Sequence, residues 1–235
     1  MLKTVVQTRA KDKVVMAGMG FESTQETIAM TLRAADEGAD MVSLLMPHFF
    51  AKKMTPEVLA GYIIAVADAS PLPVLLYNNP SVAAGVTIKA DLVNPVKDHP
   101  NVIGIKDSSS ETYKANLDAA KGRLCVLAGT ANYFLDLLKN GGTGGVLSLA
   151  NVLPDACAKL YTLFREGKIQ DAEALNGSLI ELNHKVSGSF GVAGVKAAMD
   201  LFGFCGGVPR KPLLPLTGEQ METLKQSLSK SQFAR

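Results

Sequence analysis

A chain of 235 residues with 47% apolar side chains can build one sizeable core, and 24 Lys and Arg against 22 Asp and Glu leave a formal charge of only +2. Charge so balanced and so evenly spread offers no basic block to a nucleic acid or an anionic membrane, which leaves small molecules as the expected partners. Three scattered cysteines, Cys125, Cys157 and Cys205, form no C-x-x-C pair, so a disulfide framework and a structural zinc site are disfavoured and a reducing, cytoplasmic compartment fits.

The opening MLKTVVQTRAKDKVV is basic and has no acid before Asp12; it reads either as a weak mitochondrial presequence or as the tail of a helix entering a strand. Short apolar runs then alternate with helical patterns. VVMAG (14–18), MVSLL (41–45), PVLLY (73–77), VIGIK (102–106), LCVLAG (124–129) and GGVLSLA (144–150) predict six strands, with crossover helices over 23–37, 56–69, 88–98, 110–121 and 132–140. Such alternation implies a parallel α/β sheet, doubly wound or closed into a barrel, and periodicity does not choose between them. The longest apolar stretch, LAGYIIAVADASPLPVLLY, is interrupted by Asp68, Ser70 and two prolines, so it predicts no membrane span. Beyond residue 150 the patterns are helical, over 153–166, 169–187, 192–202 and 218–230. LTGEQ at 216–220 suggests a catalytic Thr-Gly-Glu, but Thr217 with Gln220 three residues later, after Pro215, reads as a capping box. No linker or low-complexity stretch divides the chain, so residues 1–235 are expected as one domain, with strands and crossover helices to about 150 and a helical extension after it.

One lysine ends an apolar run in NVIGIKDSSS (101–110). Alternation puts Val102, Gly104 and Lys106 on one face, which leaves the ammonium either near a strand end in water or held where its charge is costly. The preceding strand, PVLLYNNP, ends on Tyr77 by the same alternation. Neighbouring strands lie about 5 Å apart, and ligand sites of parallel α/β sheets and barrels sit at the strands' carboxyl ends. A lysine withdrawn from water can attack a ketone to give an imine, and a tyrosine can move a proton to or from the bound substrate. That is the chemistry of a Schiff-base lyase, and it requires neither a metal nor an organic cofactor.

The stretches LLYNNP, IGIKDSS, VLAGTANYFLDLLKNGGTGGVLSLANVLP and FGVAGVKAAMDLFGFCGGVPRKPLLPL resemble, in order over about residues 14–220, the dihydrodipicolinate synthase and N-acetylneuraminate lyase family of pyruvate-dependent aldolases. The likeness is greatest to the 4-hydroxy-2-oxoglutarate aldolase and 2-keto-3-deoxy-sugar-acid aldolase branch. The resemblance implies a TIM (β/α)8 barrel with extra C-terminal helices, assembled as a tetramer or dimer. It implies Lys106 as the Schiff-base lysine, Tyr77 as general acid/base, and Gly129 and Leu147 as backbone lining of the pyruvyl pocket. Gly104 is expected to leave space beside the lysine. Family members that condense pyruvate with aspartate semialdehyde carry an arginine two residues beyond the proline of the tyrosine motif; here Val82 stands there, which disfavours that reaction. The implied activity is cleavage of a 4-hydroxy-2-oxo acid or a 2-keto-3-deoxy sugar acid into pyruvate or glyoxylate plus an aldehyde.

The sequence departs from the family in two places. Eight strands are implied and six are found, the first two being absent together with the Gly-Thr-Thr-Gly-Glu stretch that holds the pyruvate carboxylate. In MPHFF, Phe49 and Phe50 replace tyrosines of the proton relay, with His48 as a substitute proton carrier or a surface residue; His99 and His184 stay unassigned. An open six-strand sheet has unpaired edges at its first and last strands, as expected of a truncated gene product or of a short form whose neighbour covers them. The alternatives to the lyase are a weak or inactive truncated paralogue that associates with full-length subunits, and an unrelated phosphate-binding barrel using GGTGG (141–145).

Overall fold

The computed structural model describes residues 1–233. The chain forms two compact units, Met1–Leu127 with Gly141–Thr143, and Ala128–Asn140 with Gly144–Arg235. The division therefore falls inside the fifth strand, whereas the sequence pattern changes near residue 150.

The first unit holds α1 (Leu2–Thr8), β1 (Met16–Gly18), α2 (Thr24–Asp36), β2 (Met41–Leu45), α3 (Pro56–Ala69), β3 (Val74–Asn78), α4 (Ala90–Val96), β4 (Val102–Asp107), α5 (Tyr113–Ala120) and most of β5 (Cys125–Ala128). The second holds α6 (Phe134–Lys139), β6 (Gly144–Gly145), α7 (Pro154–Arg165), α8 (Ile169–Asn183), α9 (Ser189–Leu201) and α10 (Gly218–Ser229). Sheet order follows chain order, β1-β2-β3-β4-β5-β6, and the β1–β4 ladders are parallel. Consecutive residues Val74, Leu75 and Leu76 are all buried, as are Val42, Ser43 and Leu44. Burial without alternation means both sheet faces are covered, which is the condition of a parallel sheet with crossover helices.

Local chemistry sets the helix ends. Ser23 accepts a hydrogen bond from Glu26 N at 3.4 Å to start α2, and Thr55 accepts one from Val58 N at 3.4 Å ahead of Pro56 to start α3. Leu59, Tyr62, Ile63 and Val66 then recur at helical spacing on the buried face of α3. Thr217 and Gln220 form the expected capping box of α10.

The sixth strand is shorter than predicted. Only Gly144–Gly145 pair; after Val146 N reaches Ala128 O at 2.8 Å the chain turns into a 3-10 segment over Ser148–Asn151, with Leu149 fully buried. A short apolar run does not distinguish strand from tight turn by periodicity. Gly145 has a packing role: a Cβ there would lie 2.9 Å from the Phe134 ring. The helix predicted over 169–187 ends at Asn183, and a wider π turn over His184–Gly188 leads into α9, whose backbone breaks at Gly191 with φ of 55°.

Candidate active site

Tyr77 and Lys106 are register partners across β3 and β4, as are their successors Asn78 and Asp107. The pairing depends on a bulge: Val74 faces Val102 but Leu75 faces Gly104, so β4 contributes one extra residue before the two strands run in step. Gly104 is required there because a Cβ would meet Cys125 O at 2.5 Å and Leu75 Cδ1 at 3.0 Å. This corrects the expectation that the glycine leaves space beside the lysine; its neighbours already fill that space.

Lys106 Nζ lies 3.9 Å from the centroid of the Tyr77 ring. Both side chains are half-buried, so the amine is only partly withdrawn from water. Burial pushes the Tyr77 phenol up, but a hydrogen bond from Asn79, the charge of Lys106 and hydrogen bonds with Lys106 and Ser108 outweigh it and hold the phenol below its ordinary value. Asn79 Nδ2 donates to Tyr77 Oη at 2.8 Å, and Ser81 Oγ donates to Asn79 Oδ1 at 2.7 Å.

Behind this pair, on the opposite face of the two strands, Asp107 is fully buried. Its carboxylate accepts from Asn116 Nδ2 at 2.7 Å, Ser109 N at 2.8 Å, Asn78 Nδ2 at 2.9 Å and the Thr112 hydroxyl at 3.2 Å. Asn78 Oδ1 in turn accepts from Ile88 N at 2.9 Å, and Asn116 Nδ2 also donates to Ile88 O at 2.9 Å. One carboxylate thus binds β3, β4, the start of α5 and the loop before α4. Burial pushes the Asp107 carboxyl above its ordinary value, and those donors only partly offset it.

Gly129 and Leu147 lie in the second unit. The Val146 to Ala128 hydrogen bond at 2.8 Å sets the residues that follow β5 and β6 next to each other there; Leu147 is buried and Gly129 half-buried. His48 is tied to Glu22, whose carboxylate accepts from His48 N at 2.9 Å and lies 3.2 Å from its Nδ1. His99 pairs with Asp68 at 3.1 Å. Phe49 and Phe50 are 78% and 66% exposed, their rings edge to face at 5.0 Å. Among the described residues no cluster of His, Cys, Asp or Glu is placed to hold a metal, and no helix is long and apolar enough to cross a membrane.

The sequence reading did not single out Asn79, Ser108 or the Asp107 cluster. Alternation contains a signal for the first two, because residues 79 and 108 fall on the same faces as 77 and 106. The cluster has none, since Asn78, Thr112 and Asn116 look like ordinary turn and helix-cap residues until the fold gathers them.

The structure sets a lysine and a tyrosine side by side at adjacent strand ends of a parallel α/β fold, and comparison with known proteins gives the family. Residues 1–231 match the family model described as the dihydrodipicolinate synthetase family, and the chain belongs to that family. It is 32% identical over 220 residues to the "Probable 4-hydroxy-2-oxoglutarate aldolase, mitochondrial" of Emericella nidulans, covering 92% of this chain and 71% of that one. It is 31% identical over 230 residues to the 4-hydroxy-tetrahydrodipicolinate synthase of Syntrophotalea carbinolica, covering 97% of this chain and 78% of the relative. Among solved structures, a dihydrodipicolinate synthase from Bacillus anthracis superposes with a TM-score of 0.89 at 28% identity, covering 97% of this chain and 78% of that one. A dihydrodipicolinate synthase from Acinetobacter baumannii in complex with pyruvate gives 0.88 at 30% identity, with coverage of 97% and 78%.

Proposed function

We propose that this chain is a Schiff-base lyase that cleaves a 4-hydroxy-2-oxo acid or a 2-keto-3-deoxy sugar acid, with Lys106 as nucleophile and Tyr77 as general acid/base. The observation that carries the reading is the register pairing of the two residues, with Nζ 3.9 Å from the ring centroid. Neutral Lys106 adds to the C2 ketone, the Tyr77 phenol gives its proton to the departing oxygen, water leaves, and a protonated imine and the Tyr77 phenolate result. Tyr77, as phenolate, takes the proton of the C4 hydroxyl while the C3–C4 bond breaks. The electron pair moves onto the imine to give an enamine, and the aldehyde departs. Protonation at C3 and hydrolysis of the imine return pyruvate and free lysine. Gly129 and Leu147 offer backbone groups for the pyruvyl unit in this reading.

Relatives carry both aldolase and synthase names. Val82 favours the lyase over the synthase: it is 53% exposed and its side chain has nothing with which to bind a second carboxylate. The six strands are read as six of the eight of a TIM barrel, the first two being those without a counterpart in this sequence; the match to about three-quarters of longer relatives supports this. The partner is a small 2-oxo acid, in a homo-oligomer.

The test is incubation with pyruvate and borohydride, followed by mapping of the adduct by mass spectrometry. A reduced pyruvyl adduct on Lys106, lost in Lys106→Ala, is expected; its absence from folded wild-type protein overturns the lyase.

A second reading, a paralogue that associates with full-length subunits, is favoured by the exposed Phe49 and Phe50 pair. Its signature is a mixed assembly with a full-length relative and an altered turnover of that relative. A chain that stays apart from the relative overturns it.

A further inference from the structure

We propose that Asn79 is a positioning residue for Tyr77: its amide, aimed by Ser81, presents a hydrogen-bond donor to the phenol oxygen and so favours the proton-accepting form. The inference rests on the lyase reading, in which Tyr77 takes the proton of the substrate hydroxyl.

The arrangement starts in the turn after β3. Pro80 follows Asn79 and fixes one backbone angle of that turn. Val82 N bonds Asn79 O at 3.2 Å, and Gly85 N bonds Pro80 O at 2.9 Å. The turn leaves through Ala84 and Gly85, both at positive φ, 47° and 84°. Asn79 is therefore carried on a closed turn rather than a free loop, half-buried, with its side chain directed back at the strand end it has just left.

Which end of the amide faces the phenol decides the effect. Ser81 Oγ donates to the carbonyl Oδ1 at 2.7 Å, and the NH2 faces Tyr77 Oη at 2.8 Å. An amide NH2 only donates, and opposite it the phenol oxygen must accept. An acceptor's hydrogen bond strengthens when the acceptor is charged, so this contact stabilises phenolate more than phenol. Lys106 supplies charge to the same oxygen but leaves as a donor in part when it becomes an imine; Asn79 undergoes no covalent change and holds the phenol throughout the cycle.

Asn79→Leu keeps the approximate shape and removes the donor, whereas Asn79→Asp keeps the shape and places a carboxylate against the phenol. Tyr77 ionisation is followed by carbon-13 NMR of protein labelled at the tyrosine Cζ, with Tyr77→Phe assigning the resonance, so the readout needs no substrate and no turnover. Relative to wild type, the titration is expected to move to higher pH in Asn79→Leu and further in Asn79→Asp. For Asn79→Leu, kcat for the aldol cleavage near neutral pH falls by about tenfold, the worth of roughly one pKa unit. That loss recovers as pH is raised, with KM little changed. Ser81→Ala, at an exposed position, moves the titration the same way by a smaller amount and serves where Asn79→Leu does not fold. An unmoved titration in both variants, or a shift to lower pH, overturns the proposal, the second because it means the carbonyl end faces the phenol. Absence of a borohydride-trapped adduct on wild-type Lys106 overturns the lyase reading instead, and is read separately from the titration.

Discussion

Two pairs of residues stand next to each other at the ends of β3 and β4 and differ in almost every physical respect. Tyr77 and Lys106 are half-buried on one face; Asn78 and Asp107, one step along each strand, are buried on the other face. The inner pair, Tyr77 and Lys106, stays partly open to water, with the phenol held by Asn79. In the outer pair, Asp107 accepts from Asn78, Ser109, Thr112 and Asn116. Parallel pairing in register makes the two inseparable, because whatever fixes 78 against 107 also fixes 77 against 106. The placement of the pair on one face thus follows the buried hydrogen bonds on the other.

The comparison breaks most visibly on the inner side. Tyr77→Phe keeps the ring that Lys106 covers and removes only the oxygen, so the lysine should still form its pyruvate adduct while turnover drops. General acid/base groups contribute about 10²–10⁴-fold, and kcat measured by aldehyde release should fall within that range. Retained turnover in Tyr77→Phe would mean that another group carries the proton.

How far this contrast can be read without coordinates depends on the side considered. The inner pair is legible, because Tyr77 and Lys106 each end an apolar run and alternation fixes their faces. The helix starts at Ser23, Thr55 and Thr217 are legible for the same kind of reason: a cap is a local device written in two or three residues. The outer cluster is not, since it joins residues from position 78 to position 116, and only the parallel register brings them together. GGVLSLA is illegible in another way, as Gly145 answers to Phe134 rather than to any pattern of its own. Gly104 shows the same limit, its reason lying in Cys125 and Leu75. The degree of exposure of Lys106 also escaped the sequence, which leaves both water and enclosure open where the structure has a half-buried amine beside a phenol.

On the outer side the first effect is on stability. Asp107→Ala leaves the amides of Asn78 and Asn116 and the Ser109 N–H without their acceptor in a site closed to water. Leaving a buried donor without its acceptor costs about 1–3 kcal/mol, to be read as a shift of the urea midpoint. If the strands are coupled as their register implies, the residual folded protein also traps pyruvate more slowly on Lys106, although residue 107 lies on the opposite face. Loss of stability with unchanged trapping would separate the two faces and remove the coupling.

The smallest effect tests the charge of the outer cluster itself. Burial raises the Asp107 carboxyl above its ordinary value of 3.8, so the folded protein binds that proton more tightly than the unfolded chain does. Stability from this group is therefore fully present below the unfolded value and is lost as pH rises through the raised folded one. Asp107→Asn has a similar shape and does not titrate. Exposed carboxylates such as Asp40 and Glu57, whose values are lowered in the folded protein, weaken wild type and variant alike as pH falls and cancel in the difference. The stability of wild type minus that of Asp107→Asn should accordingly grow as pH falls from above the raised value towards 3.8, measured by urea unfolding at each pH. A difference that shrinks over the same window would mean that the four donors favour the charged carboxylate by more than burial opposes it, and that the cluster behind the reactive pair is held by charge rather than in spite of it.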